Sequence, residues 1–350
     1  MRTCILCGRE NVSAALQVCV VCLRSGRDEA VTLAKEAHAR IRAQYRLPAE
    51  PPRSEGETRC TVCANECVIA EGERGYCGLR ANVNGKLRLA APHDHAILYS
   101  YSDPLPTNCC AAWFCPGSSS YGTVNVAVFF YGCNFNCLFC QNASHKEFKT
   151  IKPMSVKNFV AAVTQRDDVY CICYFGGSPE PQLPFALRAS EAILAKMNVR
   201  ICWEWNGCGN KTLVKRAAEL SLQSGGIVKF DLKAFNPQLG EALSGVSNQR
   251  AYENFEMIAR QYFEHSKPPL LTATTLLVPF YVDETEVEQI AKFIADLNPE
   301  IPYSLLVFQP DFCMRDLPIT PREQVKRCYE AAKKYRDNVN IGNQQLLGVV

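Results

Sequence analysis

Residues 124–142 read VNVAVFFYGCNFNCLFCQN, an apolar run that leads directly into three closely spaced cysteines. The apolar part is rich in Val and Phe, and such a run predicts a buried β-strand. Cys133, Cys137 and Cys140 follow it in the pattern CxxxCxxC. The loop at the end of this strand is therefore expected to hold a metal group, because clustered cysteines in a reducing compartment are metal ligands more often than disulfides.

An alternation of apolar runs and amphipathic segments continues from this strand toward the end of the chain. The apolar runs predict six strands, at residues 124–132, 169–177, 199–207, 226–235, 269–280 and 302–310. The segments between them, and a last one that reads REQVKRCYEAAKKYR, have helical periodicity. Apolar strands that alternate with helices imply a parallel sheet with right-handed crossovers. We therefore predict an α/β fold with a partial, open (β/α)6 barrel, whose chemistry lies at the carboxyl ends of its strands.

Two further groups of cysteines precede the barrel. Cys4, Cys7, Cys19 and Cys22 form two CxxC pairs, a pattern close to that of a zinc ribbon. Two turns that each present a pair of thiolates favour a closed tetrahedral zinc site there over an iron–sulfur centre. The second group lies in CTVCANECVIAEGERGYCGLR and suits zinc and an auxiliary iron–sulfur cluster about equally; its members are Cys60, Cys63, Cys67 and Cys77.

These patterns divide the chain into three parts. Residues 1–50 are predicted to form a small zinc-ribbon-like module that includes a helix at 29–46. Residues 51–122 are predicted to be a linker and a cysteine-rich segment. The linker is predicted from the stretch 47–58, which is rich in Pro, Glu and Ser. Residues 123–350 are predicted to form the barrel.

The other cysteines lack a recognisable ligand pattern. Cys109, Cys110 and Cys115 are expected either to supply a further ligand or to line the mouth of the barrel. A second set lies in apolar strands or helices and is expected to consist of plain core residues, namely Cys171, Cys173, Cys202, Cys313 and Cys328.

Composition argues against several classes of function. The formal net charge is only +3 and the charged residues are scattered, so no nucleic-acid or membrane partner is expected. The first residues show neither the basic nor the apolar part of a signal peptide, and no apolar run approaches the roughly 18 residues that span a bilayer. We therefore expect a cytoplasmic protein whose 20 cysteines serve metals rather than disulfides.

The CxxxCxxC motif suits a cluster with one open coordination position. Three thiolates satisfy three irons of a [4Fe–4S] cluster and leave the fourth iron for an exchangeable ligand. A zinc knuckle or buried apolar cysteines are the alternative, but zinc sites normally show paired CxxC units. The motif, placed at the end of a first barrel strand, resembles that of the radical S-adenosylmethionine superfamily. The resemblance implies bound S-adenosylmethionine, with Phe139 beside its adenine.

The second predicted strand ends in FGGSPEPQ, which resembles the GGEP element of that superfamily. The resemblance implies that Gly176, Gly177 and Ser178 meet the amino group of S-adenosylmethionine. Ser178 stands where the element usually has an acidic residue, so we assign these contacts to backbone carbonyls. A simple turn is the alternative explanation for the paired glycines.

The third and fourth strand ends, ICWEWNG and KFDLKAFN, narrow the resemblance. With the later step LSGVSN they are similar to the branch that holds the pyruvate formate-lyase activating enzymes and the AmmeMemoRadiSam-type proteins, over roughly residues 60–340. Glu204 and Asn206 both belong to ICWEWNG. That similarity implies that Glu204 and Asp231 lie near the sulfonium or a nearby cation, and that Lys233 binds the methionine carboxylate. The alternative is that these charges merely pair with one another at the rim of the barrel.

The resemblance implies an oxygen-sensitive, anaerobic enzyme. It is expected to cleave S-adenosylmethionine reductively to a 5′-deoxyadenosyl radical, with an electron donor such as flavodoxin or ferredoxin, and to abstract hydrogen from a substrate. A protein or peptide substrate, as in activation of a glycyl radical enzyme, is the leading hypothesis, because an incomplete barrel leaves a lateral gap for a polypeptide loop. Radical modification of a small molecule is one alternative. The other alternative is a non-catalytic iron–sulfur or zinc protein, or an electron carrier. Such a protein does not need six βα units with polar residues at the strand ends.

Overall fold

A computed structural model of the chain describes residues 2–54, 58–107 and 109–348. The predicted linker at 47–58 lies partly outside these residues, and the division into three domains stays a prediction. No helix within the described ranges is long and apolar enough to cross a membrane.

The helices and strands follow the predicted alternation. The α-helices of the described residues are α1 (Val20–Arg24), α2 (Asp28–Gln44), α3 (Val156–Thr164), α4 (Leu183–Leu194), α5 (Lys211–Ser224), α6 (Pro237–Ser244), α7 (Gln249–Tyr262), α8 (Glu284–Leu297) and α9 (Arg322–Lys333). Their β-strands are β1 (Thr58–Arg59), β2 (Val68–Ile69), β3 (Arg80–Val83), β4 (Lys86–Leu89), β5 (His95–Ala96), β6 (Leu98–Pro104), β7 (Val124–Phe130), β8 (Met154–Ser155), β9 (Val169–Gly176), β10 (Arg200–Trp205), β11 (Val228–Asp231), β12 (Leu271–Leu277), β13 (Tyr303–Val307) and β14 (Val339–Gly342).

One eight-stranded sheet forms the centre of the molecule, in the order β14-β13-β12-β11-β10-β9-β7-β6. The six predicted strands are β7 and β9 to β13, and each pairs in parallel with its neighbour. Two strands that the sequence did not reveal extend the sheet, antiparallel β6 at one edge and parallel β14 at the other. The predicted open, partial barrel is thus confirmed, with an additional strand at each edge.

The helices cover the outer face of this sheet because their apolar residues recur at helical spacing. Helix α8 buries Val287, Ile290, Ala291 and Ile294. Asp283 caps its start, and the Asp283 carboxylate accepts hydrogen bonds from the backbone amides of the first turn. All seven residues of β12 are buried, as expected for a strand inside a parallel sheet.

The N-terminal residues pack on the loops that follow the carboxyl ends of the strands. The Tyr281 hydroxyl donates to the carbonyl of Val18 at 3.0 Å and accepts from the amide of Ser13 at 3.0 Å. Arg24 pairs with Asp283 at the start of α8. The N-terminal cysteines are therefore held on the same end of the barrel as the predicted chemistry.

A segment at residues 109–119, which we call the base segment, covers the opposite end. Trp113 Nε1 donates to Ser304 Oγ in β13 at 3.1 Å, and Ser304 Oγ donates to the Cys110 carbonyl at 3.0 Å. Farther along, Gly117 lies against the ring of Tyr170 at the start of β9. The base segment therefore crosses the amino ends of the strands from β9 to β13.

Candidate functional site

All the residues that were predicted for the barrel site line a single cleft. It opens at the carboxyl ends of β7, β9, β10 and β11 and has an empty volume of about 910 Å³, which includes the space at its open mouth. Those residues are Cys133, Cys137, Phe139, Cys140, Gly176, Gly177, Ser178, Glu204, Asn206, Asp231 and Lys233.

The CxxxCxxC loop is held in place by α6 and α2. The amides of Asn136 and Leu138 donate to the carbonyls of Ser244 and Leu243 at the end of α6, at 2.7 and 3.0 Å. The Asn136 side chain also contacts Nδ1 of His38 in α2 at 2.8 Å, while His38 Nε2 contacts the carbonyl of Ala242. Burial lowers the pKa of His38 to about 4, so the ring is neutral, with Nε2 as the donor.

Burial makes the thiols of Cys133 and Cys140 costly to ionise without a metal, because it raises the pKa of both. It raises the pKa of Cys133, and the neighbouring Cys137 raises it further, whereas Lys146 opposes them. Lys146 is itself buried, which lowers its pKa, while the thiols of Cys140 and Cys133 favour its charged form. The sequence offered no signal for Lys146, because this residue lies in a polar stretch, SHKEFK, that matches no motif.

The paired glycines are required by the neighbouring strand. Gly176 has φ of +113°, and a Cβ atom there would lie 2.5 Å from the backbone nitrogen of Phe130. The amide of Gly177 donates to the Phe130 carbonyl at 2.9 Å. The glycines therefore bring the end of β9 against the residues that precede Cys133, and both line the cleft.

Ser178 belongs to a buried polar network that centres on Glu180. One oxygen of Glu180 accepts from the Gly207 amide at 2.7 Å, and the other accepts from the Ser178 hydroxyl. The Asn206 side chain donates to Ser178 Oγ at 2.9 Å and to Asn134 Oδ1 at 2.8 Å. Burial raises the pKa of Glu180 to about 7. The sequence offered a signal for Glu180, since it is the acidic residue of GGSPEP, but it stands two positions after Ser178.

The charged residues of the cleft pair with one another and also face it. Lys233 forms an ion pair with Asp231 and lies 5.3 Å from the centre of the Phe139 ring. Burial lowers the pKa of Lys233, but the Asp231 carboxylate and the Cys137 thiol outweigh it, and the net shift is upward. Oδ1 of Asp231 is buried and has no hydrogen-bond partner among the described residues. A free carboxylate oxygen beside an ammonium group and three thiols fits a ligand that carries both an amino and a carboxylate group.

The N-terminal cysteines have the spacing of a single-ion site. The Sγ atoms of Cys4 and Cys22 are 3.9 Å apart, those of Cys7 and Cys19 are 3.6 Å apart, and all four lie within 4.8 Å of one another. A tetrahedral zinc ion with bonds of about 2.3 Å requires its sulfurs to be about 3.8 Å apart. The four thiols therefore fit one zinc ion.

The group of Cys60, Cys63, Cys67 and Cys77 is more loosely arranged. Burial and the thiols of Cys77 and Cys60 together raise the pKa of Cys67 to about 11, so these groups are neighbours. In the described part of the chain, neither the thiols of this group nor those of the CxxxCxxC loop all lie within 4.8 Å of one another. Wider spacing suits a cluster, in which each thiolate binds its own iron.

Arg42 of α2 lies between these two groups. Its guanidinium stacks 3.4 Å from the centre of the Tyr76 ring and donates to the Tyr76 carbonyl. Burial lowers the pKa of Arg42, whereas Tyr76 and the thiols of Cys77 and Cys133 raise it. One cation thus interacts with cysteines of both groups.

Comparison with known proteins agrees with this arrangement. Residues 127–294 match the Radical SAM superfamily. An uncharacterised protein of Methanocaldococcus jannaschii is 26% identical over 309 residues, which are 83% of this chain and 82% of that protein.

Two further similar proteins have names that refer to activating enzymes. One, also from Methanocaldococcus jannaschii, carries the provisional name of a glycyl-radical enzyme activating enzyme; it is 24% identical over 223 residues, which cover 61% of this chain and 79% of that protein. The isethionate sulfite-lyase activating enzyme of Desulfovibrio desulfuricans is 32% identical over 134 residues, which cover 38% of this chain and 40% of that enzyme.

Proposed function

This chain belongs to the radical S-adenosylmethionine superfamily, and from that membership we propose that it abstracts hydrogen from a protein or peptide, as glycyl-radical-activating enzymes do. The observation that carries the proposal is the convergence on one cleft of three thiols, an ammonium group and an unpaired carboxylate oxygen. Together, a reduced [4Fe–4S] cluster and S-adenosylmethionine supply methionine and a 5′-deoxyadenosyl radical.

The residues of the chain have separate roles in this proposal. Cys133, Cys137 and Cys140 would hold three irons, and Lys146 would offset part of the negative charge of the cluster. Lys233 would bind the methionine carboxylate and Asp231 the amino group, while Phe139 would lie beside the adenine. The network of Glu180, Ser178 and Asn206 would fix the loop walls around the ligand.

The N-terminal module supports a macromolecular substrate. It presents apolar side chains to solvent, with Ile5 57% and Val21 48% exposed. Exposed apolar side chains of this kind are available for contact with another chain. We propose structural zinc at the four cysteines of this module, an auxiliary iron–sulfur cluster at Cys60, Cys63, Cys67 and Cys77, and flavodoxin or ferredoxin as electron donor.

Radical modification of a small molecule is the second candidate, and the base segment favours it. Because this segment crosses the amino ends of β9 to β13, the interior of the barrel is covered on that side by the chain itself. A covered interior suits a compact substrate better than a polypeptide loop.

The first test is formation of 5′-deoxyadenosine from S-adenosylmethionine by reconstituted protein with dithionite, kept free of oxygen. We expect product from the wild type, none from Cys133→Ala/Cys137→Ala/Cys140→Ala, and a weakened affinity for S-adenosylmethionine in Lys233→Met with its iron content retained. No product from fully reconstituted wild type would end the enzymatic proposal. To separate the two substrate classes, deuterium transfer into 5′-deoxyadenosine is measured with extract of cells grown in deuterated medium, in which carbon-bound hydrogen is labelled. The extract is divided by size into small molecules and proteins.

A further inference from the structure

The barrel contains a second cavity below the cofactor cleft, and cysteines line it. Its empty volume is about 820 Å³, and Glu204 and Phe175 line both cavities. Thiols reach it from the base segment and from two strands, namely those of Cys109, Cys115, Cys171, Cys173 and Cys202. Cys173 and Cys202 are buried as expected of core residues, and together with Cys171 they also line this cavity.

The register of the sheet explains this convergence. Cys173 in β9 pairs with Cys202 in β10, and Glu204 pairs with Lys229 in β11. Alternate residues of a strand point to the same face, so Cys171, Cys173, Cys202, Glu204 and Lys229 share the inner face of three adjacent strands. The base segment then brings Cys109 and Cys110 against them from below.

Lys229 is the only cation that lines this cavity among the described residues. Its side chain is 3% exposed, and its Nζ lies 3.2 Å from Cys173 Sγ, 3.5 Å from Cys109 Sγ and 3.6 Å from Glu204 Oε2. A buried ammonium group is stable only beside negative charge. Glu204, with 45% of its side chain exposed, supplies such a charge in its ion pair with Lys229.

We propose that Cys109, Cys110 and Glu204 bind a single thiophilic divalent cation such as Zn²⁺ or Fe²⁺. Their ligand atoms all lie within 4.8 Å of one another, which is the spacing of a one-ion site. Two thiolates and one carboxylate carry three negative charges, and a divalent ion together with the Lys229 ammonium carries three positive charges. Once the two thiols have lost their protons to the ion's binding, the group is neutral overall.

The ligand count indicates an exchangeable position. Three protein ligands leave one position of a tetrahedral ion open, and zinc sites of this kind bind a water or a substrate there. Because Glu204 lines both cavities, the open position is reached from the space below the cofactor cleft. The site would accept an oxygen, nitrogen or sulfur atom of a compact molecule in the barrel. This proposal does not depend on the substrate class proposed above.

A count of metals and acid-labile sulfide per chain tests the site. The wild type, Cys109→Ser/Cys110→Ser and the matched control Cys328→Ser, in which a buried cysteine of α9 is changed, are reconstituted with iron, sulfide and zinc without oxygen. We expect the double variant to lose one metal ion per chain with no loss of sulfide, and the control to lose neither. An unchanged metal count, or loss of several irons together with sulfide, would overturn the single-ion site.

A second measurement uses the wild type alone, in case the double variant does not fold. The chain is stripped with a chelator and treated with iodoacetamide in the presence or absence of added Zn²⁺, and peptides are then mapped by mass spectrometry. We expect Zn²⁺ to slow alkylation of Cys109 and Cys110 at least tenfold and to leave the half-buried Cys313 unaffected. Equal rates with and without Zn²⁺ at Cys109 and Cys110 would contradict the proposal.

Discussion

The Glu180 carboxylate accepts a hydrogen bond of 2.7 Å from the backbone amide of Gly207, and so ties the loop after β9 to the loop after β10. Both loops form walls of the cofactor cleft. The bond joins the GG element of FGGSPEPQ to the strand end ICWEWNG, two motifs that are separate in the sequence. Its strength depends on the protonation state of a fully buried acid, which leads to the first prediction.

Glu180→Gln should remove a pH dependence of stability. Burial raises the pKa of Glu180 from an ordinary value of 4.5 to about 7, so the folded chain binds a proton more tightly than the unfolded chain. The contribution to stability is present in full below pH 4.5 and is lost as the pH rises through 7, by up to about 3 kcal/mol. The free energy of unfolding, measured with urea at pH 5 and pH 8, should fall in the wild type by more than in the variant. An equal fall in the free energy of unfolding between pH 5 and pH 8 in the two proteins would refute the raised pKa of Glu180.

Gly176→Ala should distort the cleft. The added Cβ would lie 2.5 Å from the Phe130 nitrogen at a φ of +113°, so the end of β9 must move. We expect a loss of roughly 3 kcal/mol or more in stability and a weaker affinity for S-adenosylmethionine. Gly122→Ala is the matched control, since Gly122 also has a positive φ of +81° but nothing lies within 4 Å of its Cβ position. It should cost about 1–2 kcal/mol and leave the affinity unchanged.

Lys146→Met should make the catalytic cluster harder to reduce. The buried ammonium interacts with the thiols of Cys133 and Cys140, and reduction adds a negative charge at that position. Its removal should lower the reduction potential by an amount on the order of 100 mV, as Coulomb's law gives for charges a few ångströms apart at the effective dielectric of a protein. Redox titration followed by electron paramagnetic resonance measures this shift. Lys149→Met removes an exposed lysine nearby and should leave the potential in place; identical potentials in all three proteins would exclude the proposed role.

Cys4→Ser should release one zinc ion and leave the barrel intact. Cys4 Sγ lies 3.9 Å from Cys22 Sγ in the four-thiol set, and a hydroxyl group is a poor replacement for a thiolate on zinc. Plasma mass spectrometry should find about one zinc fewer per chain, with the iron of the CxxxCxxC cluster retained. If the variant keeps its zinc, or loses iron in its place, the N-terminal site is not a zinc site.

The sequence was sufficient for the barrel and the cleft because both rest on strong local patterns. Apolar strand runs and helical periodicity locate β7 and β9 to β13, and motifs at the strand ends identify the residues around Cys133 that meet in space. Parallel strands place their carboxyl ends along one edge, so motifs distant in the chain become neighbours.

The second cavity was not predictable in the same way. Cys173 and Cys202 lie in runs such as VYCICYFGG, in which both faces of the strand look apolar, so periodicity does not tell the helix-covered face from the interior. The cavity also depends on the base segment, whose position is fixed by contacts to Ser304, a residue nearly two hundred positions later. Such a contact leaves no local signal in the chain.

Arg42 couples the two cysteine groups that flank it. Metal clusters with thiolate ligands are net anions, and here both would draw on the same guanidinium for compensation. Gain of an electron by one cluster raises the energy of adding an electron to the other, and a single buried cation screens each less well when both are reduced. We therefore expect the two centres to accept electrons anticooperatively, so that the chain stores one electron at a potential where two independent clusters would store two.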